Sequence, residues 1–372
     1  MAFSQCNVSN SLIRSLLILL FLAAAGCAPR PGPETLSVVA QGETAAQRVN
    51  LLVATTRARN TSTGSYSEVR APALNYEAFT VSIPPNHEVT RIEWPVSQPD
   101  PQTSFAVTDR TVLTEFTLDV GLERSGRGAN VAGRRDIVIF VHGYNHNFVE
   151  SLFRLAQIAA DGNLDEVPIL FAWPSAASIT GYIADSDAAT YSRDDLVELL
   201  TIVADDPAVG DITLFGHSMG GWLVAEALRQ LRLSGQDGVI ARLDNVVLAA
   251  PDIDIDVFRR QVQTIGALTP PMTLLVSPDD RVLRLSERLA GSRRRVGTTD
   301  ASDPRVQVLA AANGMRVIDI SEVDALGGTN HNRFAVLMSV IPRSTRTAFA
   351  SLAHAGAFIL EPVSATLVAS GQ

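Results

Sequence analysis

The chain has 372 residues, 46% hydrophobic and 19% charged, enough for one large globular domain or two ordinary ones. Its net charge is -9 and its longest basic run is Arg293 to Arg295, so the extended positive face that a nucleic-acid partner needs is missing. All 30 basic residues are arginine, which excludes a lysine Schiff base, a Ser-Lys dyad and a phosphate-loop lysine.

The chain begins with a polar stretch carrying Arg14, an apolar run from Leu16 to Ala25 and small residues before Cys27. That run is too short for a membrane span of roughly twenty residues, and the pattern predicts an export signal over residues 1–26. The "AAGC" stretch resembles the lipobox of bacterial lipoproteins, which implies an acylated Cys27 and a chain anchored to a membrane of the cell envelope, facing the periplasm. The competing reading is ordinary secretion with cleavage near "AAA". Cys6 leaves with the signal, so no internal disulfide is expected. Residues 27–47, rich in Pro, Gly and Ala, read as a flexible tether.

One domain is expected over residues 48–345, since no repeat or linker divides it. "RVNLLVATTRAR", "YEAFTVSIP" and "TVLTEFTLDV" read as strands without intervening helices. After "RSGRGANVAGRR", the runs "DIVIFVHG", "VPILFAW", "DITLFGHS", "DNVVLAAP", "MTLLVSPDD" and "MRVIDIS" alternate with amphipathic stretches of helical length. Unbroken apolar runs suit strands covered on both faces, so the pattern predicts an α/β architecture with a mainly parallel sheet and extra N-terminal strands. Residues 346–372 read as an extension without a clear pattern.

The run "DITLFGHSMGGWLVAEALRQL" carries the chemistry. Leu223, Val224, Ala227, Leu228 and Leu231 share one helical face, which sets Ser218 between a buried strand and a helix start. So abrupt a turn forces positive φ on Ser218 and leaves room only for glycine at 216 and 220. The Met219 N–H at the helix start is then an oxyanion donor. Ser218 is the expected nucleophile.

A serine hydroxyl needs a histidine base and a carboxylate to hold it. In sheets with this turn the partners follow in the order serine, acid, histidine. Of the six histidines, His331 in "GGTNHNRF" lies on a loop after the last clear strand. His142 and His146 precede Ser218, His217 adjoins it, His87 comes before the parallel sheet and His354 after it. For the acid, Asp279 and Asp280 end one strand and Asp252 follows the strand before. Asp280 is preferred, because its D-x-V ending resembles the acid turn of many hydrolases. The loop "HGYNH" places the Tyr144 N–H as second oxyanion donor. The segment from Trp173 to Ser192 suggests Trp173, Tyr182 and Asp185 as walls of a substrate pocket, with Trp173 equally suited to the core.

Two metal-like patterns fail. "HGYNH" lacks the glutamate of a zinc helix, and "DIDID" has Val257 and Gln263 where a calcium loop needs glycine and glutamate. No metal or cofactor is expected.

Together, "LLVATTRAR", "FVHGYNHNF", "FAWPSAASITGYIADSDAATYS", "GHSMGG", "APDIDIDVF", "VSPDDRVL" and "NHNRF" resemble an uncharacterised bacterial α/β-hydrolase group. The resemblance, running from about residue 50 to 335, implies an α/β-hydrolase fold with Ser218, Asp280 and His331 in the triad positions. It does not bring a substrate; the expected reaction, taken from the serine, histidine and acid, is hydrolysis of a carboxylic ester, small-molecule or lipid. Acyl transfer by the same residues and a non-catalytic envelope binding module are the alternatives. Oligomeric state has no signature in the sequence.

Overall fold

The computed structural model describes residues 30–41, 47–116, 133–323, 330–340 and 358–360, the side chains of 338–340 and 358–360 excepted. The expected signal, Cys27, His354, part of the tether and most of the 346–372 extension lie outside the described residues. The described residues from 33 onward form one compact unit. Among the described residues no helix is long and apolar enough to cross a membrane.

The strands are β1 (Gln47–Asn60), β2 (Ser65–Ile83), β3 (Ala106–Leu113), β4 (Arg135–Val141), β5 (Val167–Ala172), β6 (Val209–His217), β7 (Leu243–Ala249), β8 (Thr273–Val276), β9 (Arg316–Asp319) and β10 (Phe358–Leu360). They form one sheet in the order β10-β9-β8-β7-β6-β4-β5-β1-β2-β3. From β9 to β1 all neighbours are parallel, while β2, β3 and β10 are antiparallel additions at the two edges. The helices are α1 (Phe148–Asp161), α2 (Tyr182–Tyr191), α3 (Arg193–Asp205), α4 (Met219–Leu233), α5 (Asp237–Ala241), α6 (Ile255–Ile265), α7 (Arg281–Leu289), α8 (Pro304–Ala312) and α9 (Arg333–Val340).

The unbroken apolar runs have a simple cause. On β6, Leu214 packs with α3, α4 and α6 on one face, while the next residue, Phe215, packs with α1 and α9 on the other. Both sides of the pleat are buried, so both sets of alternate positions must be apolar. All six runs read as strands after residue 133 are strands of this sheet. Three features differ from the sequence reading. Strand β2 begins at Ser65, well before "YEAFTVSIP", because β1 continues through irregular register at Thr55, Arg57 and Arg59 and supplies pairing for a polar segment. Strand β3 takes only the start of "TVLTEFTLDV"; residues 117–120 lie outside the described part. Strand β10, only three residues long, has no periodic pattern by which to be recognised.

The segment after β2 is tied to the end of α1 by one histidine. His87 Nδ1 lies 2.7 Å from Glu93 Oε2, and Nε2 lies 2.7 Å from Asp161 Oδ1. Burial works against a charge on this ring, but the hydrogen bonds and charges of the two carboxylates outweigh it and raise its pKa above the ordinary 6.5. The stabilisation is therefore complete below about pH 6.5 and is lost as pH rises through the raised folded-state value. In urea unfolding, His87→Gln is expected to cost about 1–3 kcal/mol at pH 5.5, and the gap to the parent should narrow at alkaline pH; a gap independent of pH contradicts a charged His87.

Candidate active site

Strand β6 passes directly into α4, and Ser218 stands at the junction with φ 55° and ψ -122°. Its N–H donates to Ala249 O on β7 at 2.9 Å, and its carbonyl accepts from Gly221 N at 3.0 Å and Asp252 N at 3.1 Å. These bonds hold a conformation that costs an L-residue of order 1–3 kcal/mol. A Cβ on Gly216 would lie 2.7 Å from Gly221 Cα, and one on Gly220 would lie 2.3 Å from Val141 O. Both obstacles are backbone and cannot yield cheaply. The Ser218 side chain does not cap α4 and makes no hydrogen bond to a described residue.

The two other sequence-derived partners meet. His331 Nδ1 lies 2.7 Å from Asp280 Oδ2, with Asp280 fully buried and His331 nearly so. The other Asp280 oxygen accepts the N–H groups of Val282 and Leu283 at 2.9 and 3.0 Å, so one carboxylate caps α7 and grips the imidazole. The His331 ring is 4.5 Å from that of His217, the residue before Ser218, and His217 Nε2–H donates to the His331 carbonyl at 3.3 Å. Burial, reinforced by neighbouring His331, His146 and Arg154, holds the His217 pKa well below 6.5, so this ring is a neutral spacer. The structure thus joins acid to histidine, and sets histidine beside the serine turn.

The rival acids face elsewhere. Asp279 Oδ1 binds Ser277 Oγ and the Arg333 guanidinium, and Oδ2 binds Asn330 Nδ2 at 2.7 Å. Partial burial opposes its ionisation, but Arg333 and Ser277 hold its pKa below the ordinary carboxylate value. Asp279 therefore fastens the residues on either side of His331. Asp252 accepts from Ser286 Oγ at 2.8 Å and lies 3.2 Å from Arg295 Nε; burial raises its pKa. The other aspartates of "DIDID" are also occupied, Asp254 capping α6 and Asp256 pairing with Arg259.

The loop after β4 closes the site from the other side. A Cβ on Gly143 would lie 2.9 Å from both His217 Nδ1 and Ser218 Cβ, so this loop abuts the serine. Tyr144 follows, its ring edge-on to that of Tyr182 at 5.4 Å. The Tyr182 phenol is raised in pKa by burial and by Asp252. Trp173 is fully buried: its Nε1–H donates to His142 O at 2.7 Å and its ring stacks on the His142 imidazole at 4.9 Å. Asp185 is fully buried with its carboxylate on backbone and hydroxyl donors. Of the three residues suggested as pocket walls, Tyr182 stands beside Tyr144, while Trp173 and Asp185 lie beneath the loop. Arg57 and Ser175 also hold this region and were not singled out from sequence, and His217, set aside there as a base, holds it too. An arginine inside the apolar "LLVATTRAR" was the available signal for Arg57.

Among the described residues no cluster of His, Cys, Asp and Glu could hold a metal ion. A serine at a helix N-terminus, beside a histidine bonded to a buried carboxylate, is the set of groups that acyl transfer requires.

A family model described as "Alpha/beta hydrolase of unknown function (DUF900)" matches residues 129–347. No curated protein matches the chain. Among solved structures, one from a study of two fungal esterases from Rhizomucor miehei is 12% identical, with 95% of this chain and 92% of that chain covered and a TM-score of 0.30. That likeness is too distant to carry an argument.

The tight turn predicts a stability effect separate from chemistry. Gly220→Ala is expected to destabilise by about 1–3 kcal/mol, the cost of overpacking against fixed backbone, whereas Gly238→Ala, in α5 with nothing within 4 Å of its Cβ, should be neutral to stabilising by up to about 1 kcal/mol. Denaturant midpoints of the two variants decide this.

Proposed function

The chain belongs to this family of alpha/beta hydrolases, as the match over residues 129–347 shows, and from that membership we propose that it is a serine hydrolase of carboxylic esters. The observation that supports this most is the 2.7 Å bond from His331 to Asp280, beside a serine held at φ 55° on a strand-to-helix turn.

In the proposed reaction the Ser218 oxygen attacks the ester carbonyl carbon while His331 Nε2 accepts the hydroxyl proton. Asp280 keeps Nδ1 protonated and stabilises the imidazolium. The N–H groups of Met219 and Tyr144 hold the oxyanion. On collapse the C–O bond to the alcohol breaks and His331 returns its proton to that oxygen. Water, deprotonated by His331, then releases the acid and restores Ser218. The absence of lysine leaves no Ser-Lys alternative for activating the serine. The "AAGC" stretch supports the further reading that an acylated Cys27 tethers this domain to a membrane, where lipid esters are at hand.

Labelling with a fluorophosphonate probe tests the central reading. The parent is expected to be labelled on Ser218 and Ser218→Ala not at all; a folded parent that stays unlabelled removes the hydrolase proposal. Among the carboxylates, Asp280→Asn should lower kcat by roughly 10⁴, as loss of the orienting acid does in other triads, while Asp252→Asn should cost far less. Equal losses from the two would dethrone Asp280. Cys27→Ser should move the protein from the membrane to the soluble fraction and abolish labelling by radioactive palmitate.

A further inference from the structure

We propose that Asp185 is a positioning residue which, through Ser175 and opposite Arg57, holds the loop after β4 in the one conformation that presents the Tyr144 N–H to the carbonyl attacked by Ser218. This rests on the serine-hydrolase reading and extends it to residues that never touch substrate.

The loop needs an external hold. Asn145 sits at φ 61°, a left-handed conformation that asparagine tolerates better than other residues with a Cβ but that is not the common state of an L-residue. It lies one residue after Tyr144 and two after Gly143, whose backbone abuts Ser218. Relaxation of Asn145 therefore swings the Tyr144 peptide against the serine turn.

Asp185 stands where it can prevent this. It is fully buried, in the first turn of α2. Its Oδ2 accepts the Asn145 N–H at 3.1 Å and the Ser175 hydroxyl at 2.6 Å, and Oδ1 accepts the Ala176 N–H at 2.6 Å. Ser175 Oγ in turn accepts the His146 N–H at 3.3 Å. Two successive N–H groups of the loop are thus held, one directly and one through a hydroxyl, and the carboxylate is anchored to the loop after β5. From β1, the buried guanidinium of Arg57 donates to the His146 carbonyl at 3.0 Å and to Ser67 O at 3.3 Å. Burial pushes the Arg57 pKa down to about 10, against the attraction of Asp185 and two glutamates, so it keeps its charge at neutral pH. A carboxylate and a guanidinium bracket residues 145–146 from two elements far apart in sequence.

A carboxylate is required because all three of its partners are donors. Asparagine keeps one acceptor oxygen and turns its N–H groups toward either the Ala176 N–H or the Asn145 N–H, so one of the two anchors faces a donor while the volume hardly changes.

Steady-state hydrolysis of p-nitrophenyl butyrate by the full chain and its Asp185→Asn variant tests the proposal, with active sites counted by fluorophosphonate. Expected is a fall in kcat of about 10–100-fold, the order seen for slight misplacement or weakening of an oxyanion donor, with KM within about twofold. Affinity for butylboronic acid, which adds Ser218 to boron as a tetrahedral anion, should fall by a similar factor. A merely structural role would reduce the count of active sites and leave kcat per site and boronate affinity alone; that result, or parental values throughout, overturns the proposal. Should Asp185→Asn fail to fold, Ser175→Ala takes its place, with the same split expected at several-fold and the same unchanged kcat per site counting against it. An unlabelled, inactive parent would refute the hydrolase reading itself, whereas a labelled, active parent with an unaltered variant refutes only the role of Asp185.

Discussion

The passage of β6 into α4 through the single residue Ser218 is the constraint to which the rest of the site conforms. A strand end and a helix start can share Ser218 only if that residue takes φ 55°; the two backbones then approach until nothing but hydrogen fits at Gly216, while Gly220 is pressed against the end of β4 at Val141 and His142. The strain is borne by neighbours, since Ala249 and Asp252 fix the Ser218 peptide from the β7 side. The same closeness brings the β4 loop against the serine at Gly143. Three strand ends are therefore locked to one residue before any catalytic chemistry is considered, and the helix start supplies donors and positive potential there.

Three aspartates near this turn show how environment, not residue type, divides the work. Asp280 spends one oxygen on the α7 N-terminus and leaves the other for His331. Asp279, its neighbour in sequence, points to Arg333 and Asn330 and thereby pins both flanks of the histidine. Asp252 is buried with Arg295 and Ser286. An acid that already caps a helix is orientationally fixed, so its hold on the imidazole costs little further entropy. His217 completes the placement from below as a neutral ring against the His331 carbonyl.

These arrangements explain what could be read from the chain alone. Six of the strands and the turn at Ser218 are local signals, carried by runs of apolar residues or by glycines two places away, and they were legible. The pairing of Asp280 with His331 spans 51 residues; order and spacing narrowed it to a few candidates, the D-x-V ending favoured Asp280, and the fold sets Asp280 and not Asp279 against the imidazole. Asp185 drew notice as an acidic residue in an aromatic segment, which suggests a pocket wall. Its bonds reach back 40 residues to Asn145, a relation no local pattern encodes. Arg57 lies 89 residues from the carbonyl it holds, and His217 is 114 from His331. Residues that support a site from beneath leave little trace in sequence, because their partners are backbone groups without identity.

The bracketing of the β4 loop by Asp185 and Arg57 is poor economy if stability is the measure. Burying two charged groups exacts a desolvation penalty that their attraction barely offsets, and apolar residues of like size often serve a core as well or better. Arg57 even leaves its Nε buried without a hydrogen-bond partner among the described residues. Apolar packing, however, is indifferent to the orientation of a peptide group. It could fill the space beneath residues 145–146 but not distinguish φ 61° at Asn145 from a relaxed alternative, whereas an acceptor on one side and a donor on the other do so directly. The charges are thus better explained by the conformation they select than by the free energy they contribute. Tyr182, one turn before Asp185 on α2, sets its ring edge-on against Tyr144, so a single helix start contacts both Tyr144 and Asn145 of that loop.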